Sequence, residues 1–217
     1  MVMTLYKLDA SPPARAVMMV IEALKIPDVE YIDVNLLEGS HLSEEFTKMN
    51  PQHTVPLLKD DDFLVWDSHA IAGYLVSKYG ADDSLYPTDP KKRAIVDQRL
   101  HFDSGILFPA LRGSLEPVIF WGETAFRPEC LEKVRKGYDF AEKFLTSTWM
   151  AGEEFTVADI CCVASISTMN DIIVPIDENT YPKLSAWLER CSQLDVYKKK
   201  NAPGNALCKD LVASKLS

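Results

Sequence analysis

The chain contains no Cys-x-x-Cys pair, and its five cysteines, Cys130, Cys161, Cys162, Cys191 and Cys208, are odd in number. Neither a disulfide framework nor a zinc site is suggested, so the thiols read as small core residues or free cysteines. Four histidines, His41, His53, His69 and His101, are too scattered to form a metal set without other ligands, and no metal is expected. No apolar run approaches the roughly 20 residues needed to span a bilayer. The start of the chain lacks the basic residues and long apolar stretch of a signal peptide, which makes cytoplasmic residence the expectation. Basic residues are in deficit, 23 against 32 acidic for a formal charge of −9. That balance argues against nucleic acid or an anionic membrane as the main partner. The one basic run, Lys198-Lys199-Lys200, reads as a solvated helix end.

At 217 residues the chain is long enough for a substantial core and for one or two domains. The first part alternates strand and helix signals: strand near 4–8, helix near 12–25, strand near 29–35, a polar helical segment near 43–49, strands near 56–59 and 63–66, and a helix near 68–79. Val29 to Val34 alternates with period two, and Asp60-Asp61-Asp62 reads as the turn of a hairpin. The βαβαββα order is that of a thioredoxin-like α/β domain, assigned here to residues 1–80, with a Pro-containing linker over 81–90. From 91 to 217 the apolar spacing is helical throughout: Ile95, Leu100 and Phe102, then Val134, Tyr138, Phe140 and Ala141, then Leu184, Trp187 and Leu188. The fold class expected is thus α/β plus all-α. Thr156-Val157-Ala158-Asp159 reads as a capping box, with Phe155 and Ile160 placed for a hydrophobic staple.

Ser11 precedes Pro12 and Pro13 at the junction between the first strand and the first helix. It is placed as an N-cap, with Pro12 at the first helical position, where a missing N–H costs nothing. Capping alone is one reading. The other is that the hydroxyl donates to an anion held beside the positive end of the helix dipole, and a thiolate is such an anion. A hydrolase serine would want G-x-S-x-G or a histidine and acid nearby, and a disulfide-exchange enzyme would place cysteine here; this chain does neither.

Three motifs in this order, Ser11-Pro12-Pro13-Ala14-Arg15, Asn50-Pro51-Gln52-His53-Thr54-Val55-Pro56 and Asp67-Ser68-His69-Ala70-Ile71, resemble the cytosolic glutathione S-transferases. The resemblance is to the insect delta and epsilon classes, spans almost the whole chain, and is nearer to epsilon because His69 stands where many delta relatives have arginine. It implies a cytoplasmic homodimeric enzyme with glutathione as co-substrate, in which Ser11 stabilises the thiolate. It further implies that the peptide before Pro56 is cis and that Val55 offers its N–H and C=O to the tripeptide backbone. Asp67 would face the ammonium, Ser68 the γ-glutamyl carboxylate, and His41 and His53 the glycine carboxylate. Each has a plainer alternative: helix capping for Asp67 and Ser68, polar loop positions for the two histidines. His69 and Trp66 are placed near a subunit interface.

The same resemblance assigns the second substrate to a pocket formed by Ala10, Pro13, Phe108, Leu111, Arg112, Leu115 and Phe120, with Leu207 and Leu211 from the last segment. An apolar wall with one cation suits small hydrophobic electrophiles. Ordinary helix packing explains Leu115, Leu207 and Leu211 equally well, and Arg112 is as consistent with a surface ion pair. The function implied is conjugation of glutathione to such electrophiles, a detoxification role, with peroxidase or dehydrochlorinase side activity. The alternative is a non-catalytic carrier of hydrophobic ligands on the same fold.

Overall fold

The computed structural model describes residues 3–216. Strand β1 (Met3–Lys7) is central, and its apolar residues leave little room for solvent on either face. It pairs in parallel with β2 (Val29–Asp33), Met3 opposite Val29 and Lys7 opposite Asp33, and antiparallel with β3 (Leu57–Asp60), Tyr6 opposite Leu57. β3 forms the hairpin with β4 (Phe63–Trp66), which sets the order β2-β1-β3-β4. β2 lies at the edge, so its alternating sequence leaves Glu30, Tyr31 and Asp33 exposed.

Because successive strand residues point to opposite faces, the sheet supports two cores. Leu5 and Leu58 face the larger one with Val17 and Val20 of α1 (Pro12–Leu24) and Ile71 and Leu75 of α3 (Ser68–Tyr79). Leu57 faces a smaller one with Val34, Val55 and Phe46 of α2 (Glu44–Met49), a short helix that Ser43 caps through the Phe46 N–H. The larger core runs without interruption into the helical part of the chain, where α1 packs directly on α7 (Val157–Ile172). That helix is buried from Val157 to Met169. Around it pack α4 (Pro90–Phe102), α5 (Phe108–Phe120), α8 (Pro182–Gln193) and α9 (Ala202–Ala213), with α6 (Pro128–Phe144) outside them on α5 and α8. One π turn, Asp103–Leu107, joins α4 to α5, and another, Tyr197–Asn201, leads into α9. No helix among the described residues is long and apolar enough to cross a membrane.

The segment between α3 and α4 is pinned. The Arg93 guanidinium lies 3.4 Å from the Tyr86 ring centre and donates to the Pro87 carbonyl at 2.6 Å, while the Val157 N–H reaches the Leu85 carbonyl at 2.9 Å. The capping box at the start of α7 forms, with Thr156 accepting from the Ala158 N–H and Asp159 from the Thr156 N–H. All five cysteines are buried and free, and burial pushes the Cys161, Cys162, Cys191 and Cys208 thiols up, out of the range of a reactive thiolate.

Two sequence expectations need correction. Ile95 is exposed, because the buried face of α4 runs through Val96 and Leu100, four residues apart, and Ile95 lies beside it. The lysine run is solvated as expected at Lys198 and Lys199, with Lys199 also paired to Glu22 of α1 at 2.8 Å and Lys200 5.8 Å from the Tyr31 ring centre. Ser11 occupies the N-cap position of α1, but its side chain makes no capping hydrogen bond.

Candidate functional site

The strand register gathers the three motifs at one end of the sheet. Tyr6 is opposite Leu57 and Leu57 opposite Trp66, so β1 ends, β3 begins and β4 ends side by side. The chain that leaves β1 carries Ser11, the chain that enters β3 carries Val55, and the chain that leaves β4 carries Asp67 and Ser68.

Ser11 closes a tight turn, its N–H bonded to the Leu8 carbonyl at 2.9 Å, and its own carbonyl accepts from the Arg15 N–H at 3.0 Å. With Pro12 in the first helical position and no capping bond to make, the Ser11 hydroxyl is available to an outside acceptor beside the helix N-terminus. The Val55–Pro56 peptide is cis. Val55 is nearly enclosed, yet its N–H and C=O are engaged by no backbone group among the described residues. An extended peptide is the natural complement to such a backbone.

Asp67 has φ 73°, a region that non-glycine residues seldom enter, and its carboxylate accepts from the His69 and Ala70 N–H groups at 2.9 and 3.1 Å. It therefore caps α3 while keeping more than half of its side-chain surface open. The bond from the His69 side chain, against the opposing effect of burial, holds the Asp67 carboxyl below its usual range. Ser68 is buried at the first position of α3. The His41 and His53 rings lie 6.0 Å apart, and His41 Nδ1 is enclosed without a partner among the described residues. Burial, then the neighbouring His53, pushes His41 down, so it is neutral near pH 7 in this state. The set meets a charged thiol tripeptide group by group: a carboxylate for an ammonium, a helix N-terminus and imidazoles for carboxylates, an open backbone for amides, a hydroxyl for a thiolate.

His69 forms an internal bridge. Its Nδ1 is 3.5 Å from Asp67 Oδ1, its Nε2 is 2.8 Å from Asp103 Oδ2, and only 14 % of its side chain is exposed. Trp66 donates its indole N–H to Gln52 at 2.8 Å.

The positions assigned to the electrophile pocket separate. Leu111 and Leu115 are enclosed in the main core as packing residues, with Ala10 and Phe108 packed partly against it. Arg112 is exposed and paired with Glu116 at 2.5 Å, the ion pair that the sequence left open. Pro13 and Leu211 are half-buried, whereas Phe120 and Leu207 are exposed. Leu207 lines a cavity of about 280 Å³ with Lys7, Asp9, Met18, Tyr31 and Gly204, opening beside the Ser11 turn. Two residues near the site escaped the sequence reading. Arg15, the last residue of the first motif, is fully buried, and burial pushes its guanidinium down to about 10. A charged residue inside the apolar stretch Ala14 to Ile21 is the signal that marks it. Asp103 carried no local signal, since its partner lies 34 residues away.

Models of the glutathione S-transferase N-terminal and C-terminal domains match residues 5–83 and 114–195. Glutathione S-transferase D6 of Drosophila melanogaster is 38% identical over 193 residues, 88% of each chain. An epsilon-class glutathione S-transferase from the housefly, Musca domestica, superposes with a TM-score of 0.95 at 45% identity, covering 99% of both chains. A glutathione transferase homologue from Drosophila mojavensis, solved with bound glutathione, gives a TM-score of 0.95 at 46% identity over 99% of this chain and 97% of its own.

Proposed function

Since this chain belongs to the glutathione S-transferase family and is a glutathione transferase enzyme, we propose that Ser11 is the group that stabilises the glutathione thiolate. The single observation that carries this reading is the Ser11 hydroxyl at the N-terminus of α1, which makes no capping bond and no hydrogen bond among the described residues. A free thiol ionises with a pKa of about 8.5 and is only a few per cent thiolate at pH 7. A hydrogen bond to a charged acceptor is worth roughly 1.5–3 kcal/mol, and one pH unit about 1.4 kcal/mol. One hydroxyl thus lowers the thiol pKa by about one to two units, enough to make thiolate a major species near neutrality without a general base.

In this reading residues 1–80 hold the tripeptide. His41 and His53 take the glycine carboxylate, Val55 beside Pro56 the cysteinyl backbone, Asp67 the ammonium and Ser68 the γ-glutamyl carboxylate. Residues 91–217, joined through 81–90, supply the apolar side of the site, with Ala10, Pro13, Phe108, Phe120, Leu207 and Leu211 nearest to a small hydrophobic electrophile. Leu111, Leu115 and Arg112 support that wall through the core and the Glu116 pair. Glutathione bound by the Drosophila mojavensis homologue supports the co-substrate. Detoxification in the cytoplasm by a homodimer completes the proposal, and gel filtration at the monomer position would refute the dimer.

The test is Ser11→Ala with glutathione titrated across pH. Below the midpoint, where the bound thiol is neutral and contributes little, tripeptide affinity is expected to stay within about twofold; the pH midpoint of bound-thiol ionisation rises by about one to two units, and affinity above that midpoint falls with it. Turnover of a chlorinated nitroaromatic at neutral pH falls accordingly. An unmoved midpoint would refute the role of Ser11, and ligand binding with no glutathione-dependent turnover would identify a carrier.

A further inference from the structure

The turn that presents Ser11 is held from the helical half of the chain, at two points. The first is Gly204 in the opening turn of α9. A methyl built on Gly204 would overlap the Asp9 carbonyl oxygen and stand 2.7 Å from Arg15 Cδ, so the helix backbone rests directly on the turn. Only a residue without Cβ permits that approach. The second is Arg15, whose Nη1 lies 3.4 Å from the Ala10 carbonyl. Its other donors reach Asn201 Oδ1 at 3.0 Å, just before α9, the Ala164 carbonyl at 3.3 Å and the Thr168 hydroxyl of α7. Thr168 in turn meets Asn205 of α9 at 2.9 Å.

Asp9 and Ala10 are the two central residues of the turn that the Ser11 N–H closes onto Leu8. Both are therefore referenced to α9, one by backbone contact and one through the buried guanidinium. The Lys7 ammonium adds a pair to the Asp9 carboxylate at 2.7 Å from the strand side. A hydroxyl that must lie within hydrogen-bond reach of a sulfur tolerates little displacement. A shift near 1 Å in a positioning element is enough to cost about a hundredfold in rate.

We infer that Gly204 and Arg15 are positioning residues for the thiolate: α9, seated on the Asp9–Ala10 turn, sets where the Ser11 hydroxyl stands. The inference rests on the assignment of Ser11 proposed above. It also gives α9, which carries Leu207 and Leu211 on its outer turns, a direct mechanical link to the donor that activates glutathione.

The experiment compares Gly204→Ala, Thr168→Val, Ser11→Ala and the double variant Ser11→Ala/Gly204→Ala, with exposed Lys209→Ala on the same helix as control. The readouts are the ultraviolet absorbance of bound glutathione thiolate against pH, and kcat and KM separately. Gly204→Ala is expected to raise the ionisation midpoint and lower kcat at neutral pH about tenfold, with KM for glutathione within about twofold. Thr168→Val, which loosens Arg15 away from the turn, shifts the midpoint in the same direction. In the Ser11→Ala background Gly204→Ala adds nothing to the midpoint, since the group it positions is gone. If Gly204→Ala does not fold, Thr168→Val decides. Should Ser11→Ala raise the midpoint while the foldable positioning variants leave midpoint and kcat as in Lys209→Ala, the inference is overturned and the role of Ser11 stands. Should Ser11→Ala leave the midpoint unmoved, the assignment of Ser11 and the inference built on it both fall.

Discussion

Asp159→Ala is expected to cost about 5 kcal/mol of stability, because the carboxylate it removes is the shared acceptor for three enclosed N–H groups. Asp159 Oδ1 receives the Met150 N–H at 2.7 Å and the Trp187 indole N–H at 2.9 Å, and Oδ2 receives the Thr156 N–H at 3.0 Å. Asp159 and Trp187 are fully buried, Met150 1 % and Thr156 4 % exposed, so water is poorly placed to substitute. Each abandoned donor costs roughly 1–3 kcal/mol. The sum approaches the whole stability of an ordinary domain, about 5–15 kcal/mol. In a chain of this size each kcal/mol shifts the melting temperature by about 2–4 °C, so a drop of about 10–20 °C is expected, or failure to accumulate folded protein. Asp159→Asn retains one acceptor oxygen and should lose less than half as much. A melting temperature of Asp159→Ala within a few degrees of the parent would show that the three donors find other partners.

The second large effect is a pH dependence carried by His69. Burial by itself would push the imidazole down, but the bonds to Asp103 and then Asp67 outweigh it and raise the pKa from an ordinary 6.5 to about 9. For a cation whose folded pKa exceeds the unfolded one, the stabilisation is complete below about pH 6.5 and is lost as pH rises through about 9. At about 1.4 kcal/mol per pH unit the upper bound is about 3 kcal/mol, and the openness of Asp67 to solvent reduces it to about 2. Urea unfolding at mildly acid and alkaline pH should therefore show this loss in the parent and not in His69→Phe. At neutral pH His69→Phe leaves the Asp103 carboxylate, 6 % exposed and with Oδ1 already unpartnered among the described residues, as an uncompensated buried charge. Removing one partner of such a pair costs about 3–5 kcal/mol. Parallel pH profiles in parent and variant would contradict the bridge. The bridge also fastens the start of α3, with Asp67 in it, to the turn between α4 and α5.

How far these features were legible depends on the distance along the chain over which each is encoded. The strand β1, the proline-led start of α1, the hairpin across Asp60 to Asp62 and the capping box at Thr156 each depend on hydrogen bonds or side-chain alternation within a few residues, so they stand in the text of the chain. The turn at Ser11 and the cap at Asp67 are likewise made of neighbouring residues, but the cis peptide at Val55 and the roles of these motifs followed from their resemblance to a family and not from local pattern. Misreadings arose where a face had to be chosen. On α4 the apolar residues Ile95 and Val96 are adjacent, and only docking on α7 selects Val96. Lys199 is solvent-exposed as its sequence suggests, but its pairing with Glu22 exists only once α1 lies alongside.

The local code alone specified which segments are strands and helices; that the Ser11, Val55 and Asp67 motifs meet at one end of the sheet is set by the strand register. Nor did the local code specify that Asp159 would collect Trp187, that His69 would find Asp103, or that Gly204 would lie against Asp9, since those partners are 28, 34 and 195 residues apart. Such contacts exist only after α7, α9 and the sheet have docked, because burial, and with it the strength of each buried bond and the room for each Cβ, is a property of the packed assembly and of no short stretch within it.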